Sequence, residues 1–304
     1  MKTALITGIT GQDGSYLTEL LLEKGYEVHG IVRRSSNFNR SRIEHLRSNP
    51  EIYKKTLFLH YADLHDQTTL RRIFKKVRPD EFYHLAGQSH VGLSFEIPES
   101  TAQEIAMATL GLLEICRDQD KSLRIYHAAS SEVFGQCTAT PQDEQTSWNP
   151  SSPYGASKAY AAQMARIYRD SYDMFVCNGI LYNHESPRRG ETFVTRKITR
   201  TAAAIKLGLE HELYLGNLET QRDWGHAKDY VDAMWLMLQE EKPDDYVIAT
   251  GELHSLRQLL EIAFSHFDLS SEDYVRVDPR FYRPNEPILL CGNSQKAQTK
   301  LGWK

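Results

Sequence analysis

The fold can be inferred from eleven residues near the N-terminus, Ala4-Leu5-Ile6-Thr7-Gly8-Ile9-Thr10-Gly11-Gln12-Asp13-Gly14. Residues 4–7 are an apolar run of strand length, and three evenly spaced glycines follow it. Residues 15–24 then show helical apolar spacing up to Gly25, a residue type that commonly ends helices. A strand, a tight turn and a helix N-terminus in this order present backbone amides to a pyrophosphate, although a turn without a ligand is the alternative. The residues predicted to bind a dinucleotide cofactor here are Gly8, Gly11, Gln12, Asp13 and Gly14.

The chain continues this alternation of short apolar runs and helical patterns. Further strand candidates are residues 27–32, 57–61, 81–85 and 123–128, and helical patterns lie near residues 67–77 and 100–118. Strands and helices in alternation give parallel strands that are joined by crossover helices. The sequence therefore predicts an α/β fold with a doubly wound parallel sheet of the Rossmann type.

The pattern becomes less regular beyond about residue 179, where loops rich in Asn, Pro, Arg and Gly separate shorter elements. We expect residues 1–180 to form the cofactor-binding domain. Residues 181–304 are expected to form mainly a smaller, mixed α/β lobe that binds substrate over the mouth of the sheet. The lobe is expected to be discontinuous, because residues 226–250 contain a helix and a strand that suggest a return to the main domain.

Composition and charge narrow the functional class. The 304 residues are 40% hydrophobic and 25% charged with a net charge of −4, which is typical of a globular protein and not of a nucleic-acid binder. No apolar run approaches the roughly 20 residues that span a bilayer, so no membrane partner is expected. The N-terminus leads directly into the first strand without a signal peptide, which predicts the cytoplasm. The four cysteines are Cys116, Cys137, Cys177 and Cys291. They are too widely spaced to indicate a disulfide framework or a metal site.

The residues after the second predicted strand bear on the choice of cofactor. An NAD site usually has an acidic residue there, which accepts hydrogen bonds from the ribose 2′-hydroxyl. This chain has donors instead, which suit a 2′-phosphate and predict NADP, although an arginine at an oligomer surface is the alternative for one of them. The donors are Arg33, Arg34, Ser35 and Ser36. Residues placed to hold the adenine or to lie along the middle of the cofactor are Asp63, Leu64, Leu85, Ala86, Gln88 and Ser89.

Tyr154 and Lys158 are four residues apart in a helical pattern and therefore lie on one helix face. A free tyrosine, with a pKa of about 10, is a poor base at neutral pH, but an ammonium group and a positive nicotinamide ring lower that pKa. The phenolate can then take a hydroxyl proton as hydride leaves. Ser130, at the end of the fifth predicted strand, is placed to share the substrate oxygen. Ser130, Tyr154 and Lys158 are therefore predicted to be catalytic, with Lys158 also bonding the nicotinamide ribose.

Glu132 follows the serine by two residues and adds a second acid/base group to this strand end. A 4-epimerase or a simple dehydrogenase needs only the serine, tyrosine and lysine. Loss of water across C5–C6 of a sugar also needs a base for the C5 proton and an acid for the C6 hydroxyl. The Glu132 carboxylate could serve as both that base and that acid. The alternative is that Glu132 only caps the next turn.

Several runs of sequence, spread over nearly the whole chain, occur together in one known family. These runs are residues 8–17, Arg33-Arg34-Ser35-Ser36, Gln88-Ser89-His90-Val91, Ser152-Pro153-Tyr154-Gly155, residues 183–190 and residues 222–230. In these runs the sequence resembles the GDP-mannose 4,6-dehydratase family of extended short-chain dehydrogenases. The resemblance implies an internal redox reaction: hydride leaves C4 of GDP-mannose for NADP, Glu132 helps to expel water, and the hydride returns to C6. The implied product is GDP-4-keto-6-deoxy-mannose, with no net consumption of cofactor.

The resemblance also implies roles for residues of the second half. His184 and Arg189 would contact the cofactor. The residues implied to surround the GDP-sugar are Asn183, Val194, Lys197, Arg222 and Arg283. The arginines of this set would grip the diphosphate. Members of the family form homodimers or homotetramers, and the loop after Arg34 often reaches a neighbouring subunit's cofactor.

The sequence departs from the family pattern near the expected sugar. The catalytic hydroxyl is usually a threonine and is Ser130 here, which keeps the oxygen. Ser100 stands where a tyrosine is expected, and residues 102–108 differ from the usual pattern. Two other classes of function therefore remain open: a related enzyme, namely a GDP-heptose 4,6-dehydratase or a 4-epimerase, and a non-catalytic NADP-binding regulator. The regulator is disfavoured because the four predicted catalytic residues are all present.

Overall fold

The structure is a computed structural model that describes residues 1–35, 39–119, 122–282, 284–286 and 289–304. Its strands are β1 (Thr3–Thr7), β2 (Glu27–Val32), β3 (Leu57–Tyr61), β4 (Glu81–His84), β5 (Arg124–Ala128), β6 (Phe175–Leu181), β7 (Asn183–Glu185), β8 (Leu213–Leu215), β9 (Gln221–His226), β10 (Asp245–Ile248), β11 (Leu253–Ser255) and β12 (Val275–Val277). Its helices are α1 (Gln12–Glu23), α2 (Glu44–Arg47), α3 (Gln67–Val77), α4 (Pro98–Ala102), α5 (Ala108–Arg117), α6 (Pro153–Tyr172), α7 (Val194–Lys206), α8 (Ala227–Met237), α9 (Leu256–Ser265), α10 (Ser271–Tyr274) and α11 (Gln295–Leu301).

Seven parallel strands form the central sheet in the order β3-β2-β1-β4-β5-β6-β10. The order reverses between β1 and β4, and ligands bind outside the carboxyl ends of strands at such a switch point. Side chains alternate across each strand, so that Ile6 packs into the core under α1 and α8 and Leu5 into the core under α3, α5 and α6. Helices thus cover both faces, and the predicted α/β fold is confirmed.

Local boundaries differ from the sequence prediction in three places. Helix α1 begins at Gln12 rather than at residue 15, because Gly11 is extended and serves as its N-cap. The predicted helix over residues 100–118 is divided into α4, a π-helical turn at Gln103–Met107, and α5. Strand β6 was not predicted, because Asn178 and Gly179 interrupt its apolar run.

Residues outside the main sheet form two further small sheets. One has the order β11-β9-β7, and the other pairs β12 with β8. Helices α7 and α9 pack on the second of these through an apolar cluster that includes Ile198, Leu213 and Leu260. Between these elements the chain returns to the main body, where α8 packs against α1 and β10 pairs with β6. Among the described residues, no helix is long and apolar enough to cross a membrane.

Candidate active site

The glycine turn is held against the end of β4. Gly8 has a φ of +76°, and a Cβ at this position would lie 2.9 Å from Ala86 N. A Cβ on Gly14 would lie 2.2 Å from Gly8 O, so only glycine allows the turn to close on the start of α1. Thr7 Oγ1 accepts hydrogen bonds from Leu85 N at 3.1 Å and from Ala86 N at 3.3 Å. The structure therefore brings the predicted pyrophosphate turn together with the residues predicted to lie along the cofactor.

The N-terminus of α6 places the predicted catalytic phenol and amine beside the end of β5. Ser152 caps this helix by accepting from Gly155 N at 3.0 Å, and Pro153 occupies its first turn. Lys158 Nζ donates to Ala128 O at 2.7 Å and lies 5.9 Å from the centre of the Tyr154 ring. The two side chains therefore share one helix face, as their spacing predicts.

Burial dominates the ionisation of both groups. It raises the pKa of Tyr154 to about 12, against the lowering effect of a hydrogen bond with Ser130 and of the Arg189 charge. Burial also lowers the pKa of Lys158 to about 8, although the Asp13 carboxylate raises it. The phenol is therefore protonated at neutral pH in the cofactor-free protein. A further positive charge beside the ring would be needed to make it a base.

Glu132 lies in the turn that follows Ser130, with 8% of its surface exposed. Its backbone N donates to Ser130 Oγ at 3.3 Å, so the two side chains leave the same strand end. The pKa of Tyr154 depends most on burial and next on the Ser130 hydrogen bond. The third influence is the negative charge of Glu132, which raises that pKa. A Cβ on Gly155 would lie 2.6 Å from Glu132 O, so α6 packs directly on this turn. The hydroxyl, carboxylate, phenol and amine are thus gathered in one buried region.

His184 links the glycine turn to β7. Its Nε2 lies 2.8 Å from Asp13 Oδ2 and its Nδ1 lies 2.8 Å from Tyr182 O. Both ring nitrogens face acceptors, which favours the imidazolium form. Burial alone would lower the pKa of His184, but the Asp13 charge and hydrogen bond raise it above its usual value. Burial would raise the pKa of Asp13, and the His184 charge lowers it below its usual value.

The predicted cofactor residues after β2 and β3 lie on the surface. Arg33, Arg34 and Ser35 are exposed at the carboxyl end of β2, and Ser36 lies outside the described residues. Asp63 is exposed after β3, where its Oδ1 accepts from His65 N at 3.0 Å. Leu64, beside it, is half-buried. After β4, the predicted cofactor residue Gln88 is half-buried and Ser89 is exposed.

The residues implied to bind the sugar nucleotide are spread over β7, α7 and β9. Asn183 is half-buried at the start of β7, and Val194 is half-buried at the start of α7. Lys197 Nζ donates to Tyr214 O at 2.6 Å and lies 4.2 Å from the centre of the Phe281 ring. Arg222 is 6% exposed and forms an ion pair with Glu286. Lys197 and Arg222 thus both contact the segment of residues 281–286, within which Arg283 lies outside the described residues.

The segment that departs from the family pattern borders Tyr154, the predicted catalytic tyrosine. Ile105, in the π-helical turn, packs in one buried cluster with Tyr154. Ser100 is exposed in α4, with its hydroxyl 3.5 Å from Glu104 Oε1. The departures therefore bear on the wall of the site more than on its reacting groups.

Sequence reasoning missed three polar residues that hold the site together. They are Thr7, which fixes the end of β4; Ser152, which caps α6; and Asp223, which is fully buried in β9. Asp223 accepts hydrogen bonds from Thr250 N, Gly251 N and Gly292 N at 2.8 to 3.1 Å. The Ser-Pro pair before Tyr154 is a signal that could have identified Ser152. Nothing local marks the other two.

Within the described part of the chain, no three His, Cys, Asp or Glu side chains come close enough together to hold a metal ion.

Comparison with known proteins places this chain in a family. A sequence profile of the GDP-mannose 4,6 dehydratase family matches residues 5–304. The GDP-mannose 4,6 dehydratase 2 of Arabidopsis thaliana is 56% identical over 308 residues, which cover 100% of this chain and 82% of the relative. The Yersinia enterocolitica GDP-mannose 4,6-dehydratase is 52% identical over 332 residues, which cover 100% of this chain and 89% of the relative. The Homo sapiens protein of this name is 50% identical over 323 residues, covering 100% and 87%.

Solved structures share the fold at lower identity. The dTDP-glucose 4,6-dehydratase DesIV of Streptomyces venezuelae, determined with NAD bound, has a TM-score of 0.87 and 24% identity, and the match covers 99% of this chain and 91% of that one. A Thermus thermophilus UDP-glucose 4-epimerase in complex with NAD has a TM-score of 0.83 and 24% identity, covering 99% and 93%. The sequence resemblance is therefore confirmed: the chain belongs to the GDP-mannose 4,6-dehydratase family.

Proposed function

We propose that this protein converts GDP-mannose to GDP-4-keto-6-deoxy-mannose with a bound nicotinamide cofactor. Family membership over the whole chain supports the substrate and the reaction. The observation that carries the mechanism is the buried Glu132 carboxylate beside the Ser130–Tyr154 pair. A 4-epimerase does not need that carboxylate, whereas a 4,6-dehydratase needs an acid/base at C5 and C6.

The first step assigned to the protein is removal of the proton from the C4 hydroxyl. Tyr154 is the base and Ser130 shares the sugar oxygen. The Lys158 ammonium stabilises the phenolate, since an adjacent positive charge favours the charged form of a phenol. When bound, the cofactor supplies a reversible hydride acceptor next to C4. The 4-keto group that forms makes the C5 proton acidic.

Glu132 is assigned the elimination. Its carboxylate accepts the C5 proton, and the resulting carboxylic acid protonates the departing C6 hydroxyl. The group ends as it began, as a carboxylate, so that one residue serves as base and then as acid. When the hydride returns to C6, the proton that Tyr154 took from the C4 hydroxyl goes to C5, which completes the 4-keto-6-deoxy product and restores the phenolate. Burial against α6 excludes bulk water from the carboxylate, which suits a group that must pass one proton between two positions on a sugar.

The residues present fit a dinucleotide, and we infer that it is NADP. The glycine turn and the N-terminus of α1 suit a pyrophosphate, because a Cβ on Gly11 would approach only Gly8 O, at 3.1 Å, and the first amides of a helix have no acceptor within the helix. Arg33, Arg34, Ser35 and Ser36 would hold the 2′-phosphate, while Asp63 and Leu64 would border the adenine. The remaining proposed cofactor contacts are Leu85, Ala86, Gln88, Ser89, Lys158, His184 and Arg189.

The second half of the chain is proposed to bind the GDP-sugar. Asn183, Val194, Lys197, Arg222 and Arg283 would line that site, with the Arg222 charge available to a diphosphate if Glu286 gives way. We further propose that the protein acts in the cytoplasm as a homodimer or homotetramer. The loop after Arg34 would reach a neighbouring subunit.

The reaction itself is tested with purified protein, GDP-mannose and NADP. We expect a 4-keto-6-deoxy sugar nucleotide to form, detected by mass spectrometry as loss of one water. No reduced cofactor should accumulate, because hydride returns to the same sugar. A GDP-heptose and a UDP- or TDP-glucose serve as comparison substrates. Faster turnover of the heptose would replace the substrate assignment, and a product that retains its water would contradict the dehydratase assignment.

The choice of NADP over NAD is tested by replacing Arg33 and Arg34 with serine together. Hydrogen bonds to charged groups contribute about 1.5–3 kcal/mol each, so NADP affinity should fall at least roughly tenfold. NAD affinity should change little, since NAD has no 2′-phosphate. The matched control is Arg71→Ser. Arg71 is an exposed arginine of α3 that forms an ion pair with Asp118. Equal losses for the two cofactors would contradict the assignment.

A further inference from the structure

The last residue of β7, Glu185, has no role among the residues considered so far. Side chains alternate along a strand, so His184 points to one face of β7, and its neighbours Asn183 and Glu185 point to the opposite face. His184 turns toward the glycine turn, where it meets Asp13. Glu185 turns the other way, toward the loop of residues 186–193 and the start of α7.

Two contacts hold the Glu185 carboxylate in place. Thr195 Oγ1, in the first turn of α7, donates to Glu185 Oε2, and Arg189 Nε lies 3.2 Å from the same oxygen. Both members of the ion pair are about one-fifth exposed in their side chains. A carboxylate at this end of α7 also faces the positive end of the helix dipole. Glu185 therefore joins three segments: β7, the loop that follows it, and α7.

Arg189 is fixed on more than one side. Besides the ion pair with Glu185, its guanidinium lies 3.8 Å from the centre of the Phe193 ring. A guanidinium is a planar fork of N–H donors, so one that is stacked on a ring and paired with a fixed carboxylate presents its terminal N–H groups in a restricted direction. The positive charge of Arg189 also acts to lower the pKa of Tyr154, Asp13 and His184, so it affects groups from three parts of the candidate site.

We propose that Glu185 is a positioning residue that orients the Arg189 guanidinium for the cofactor and the catalytic tyrosine. It also ties that arginine to the first turn of α7, which carries the proposed sugar-binding residues. The inference rests on the proposed function in so far as Arg189 is a cofactor contact. Besides Arg189, the charged groups that act on Glu185 are Asp13 and His184, and Arg189 itself also acts on Tyr154.

A double-mutant cycle on NADP binding tests this role in the cofactor-free protein. Glu185→Ala should weaken NADP binding about tenfold, because a mobile arginine must be ordered on binding. In an Arg189→Ala background the same change should have no further effect, since Glu185 acts only through the arginine. Glu185→Gln keeps an oxygen that can accept from Thr195 and Arg189, so its loss should be smaller. The Gln variant can complete the cycle alone if the Ala variant does not fold.

The matched control is Glu191→Ala. Glu191 lies in the same loop as Arg189 and forms an exposed ion pair with Arg200 of α7, so its loss should leave NADP binding unchanged. The inference is overturned if Glu185→Ala weakens binding equally in both backgrounds, if it has no effect, or if the control is equally damaging. Turnover of GDP-mannose is measured separately on the wild-type protein. Failure of that turnover with intact NADP binding would remove the proposed function while the cycle still decides the role of Glu185.

Discussion

Glu132→Gln is expected to lower the rate of dehydration by about 10²–10⁴-fold, the range typical of losing a general acid/base. The amide cannot accept the C5 proton and cannot return one to the C6 hydroxyl. Oxidation at C4 should survive, because Ser130, Tyr154 and Lys158 are untouched. Removing the Glu132 charge also removes one of the influences that raise the pKa of Tyr154. The variant should therefore stop after the first half of the reaction.

That result is measured by following product and the near-ultraviolet absorbance of reduced cofactor in one reaction. We expect the absorbance to rise and persist in the variant, whereas it stays low in the wild-type protein. Glu144→Gln is the control. Glu144 is another partly buried carboxylate that lies outside the site and accepts a hydrogen bond from Val247 N at 2.8 Å. Loss of cofactor binding in Glu132→Gln, or undiminished dehydration, would show that Glu132 has a different role.

Lys158→Met is expected to have opposite effects on activity and on stability. Activity should fall by about 10²–10⁴-fold, because the phenolate of Tyr154 loses its ammonium neighbour. The cofactor-free protein should nevertheless become more stable at pH 7. Burial lowers the pKa of Lys158 from 10.5 to about 8, which corresponds to roughly 3 kcal/mol of destabilisation by the buried charge. Losing the hydrogen bond that this ammonium donates to Ala128 O costs about 1.5–3 kcal/mol, leaving a net gain of at most about 1.5 kcal/mol.

The pH dependence of that gain has a defined sign. Between pH 8 and 10.5 the folded wild-type protein has released the Lys158 proton, while the unfolded chain still binds it. Wild-type stability contributed by this group therefore rises with pH across that window, and the advantage of Lys158→Met shrinks. Denaturant unfolding at several pH values measures both free energies of unfolding. Lys206→Met, which removes an exposed lysine that also donates to a backbone carbonyl, is the matched control. A Met variant less stable than wild type throughout would contradict the prediction.

The parts of the site that could be predicted from sequence depend on contacts between near neighbours in the chain. The spacing of Gly8, Gly11 and Gly14 encodes a turn by itself, and Tyr154 and Lys158 meet because a helix brings residues four apart onto one face. Strand β6 was missed because its interior holds Asn178 and Gly179. The glycine is needed there, since a Cβ would lie 2.4 Å from Tyr126 OH, a contact that no local pattern reveals.

The supporting residues could not be predicted, because their partners lie far away in sequence. Asp223 is satisfied by amides of residues 250, 251 and 292. Glu185 is satisfied by residues from a loop and a helix whose relative placement only the fold decides. Sequence gives the residue type in both cases, but the function of a buried carboxylate depends on which donors surround it.

The late position of β10 has a consequence for how the protein is made. β6 pairs with β5 on one side and with β10 on the other, and the whole stretch from β7 to α8 separates β6 from β10 in the chain. While a ribosome synthesises that stretch, the nascent chain carries an open strand edge with unpaired amides and carbonyls, the kind of surface that templates aggregation. The protein is therefore most vulnerable to self-association just before residue 248 emerges, when the glycine turn and α6 have already been synthesised.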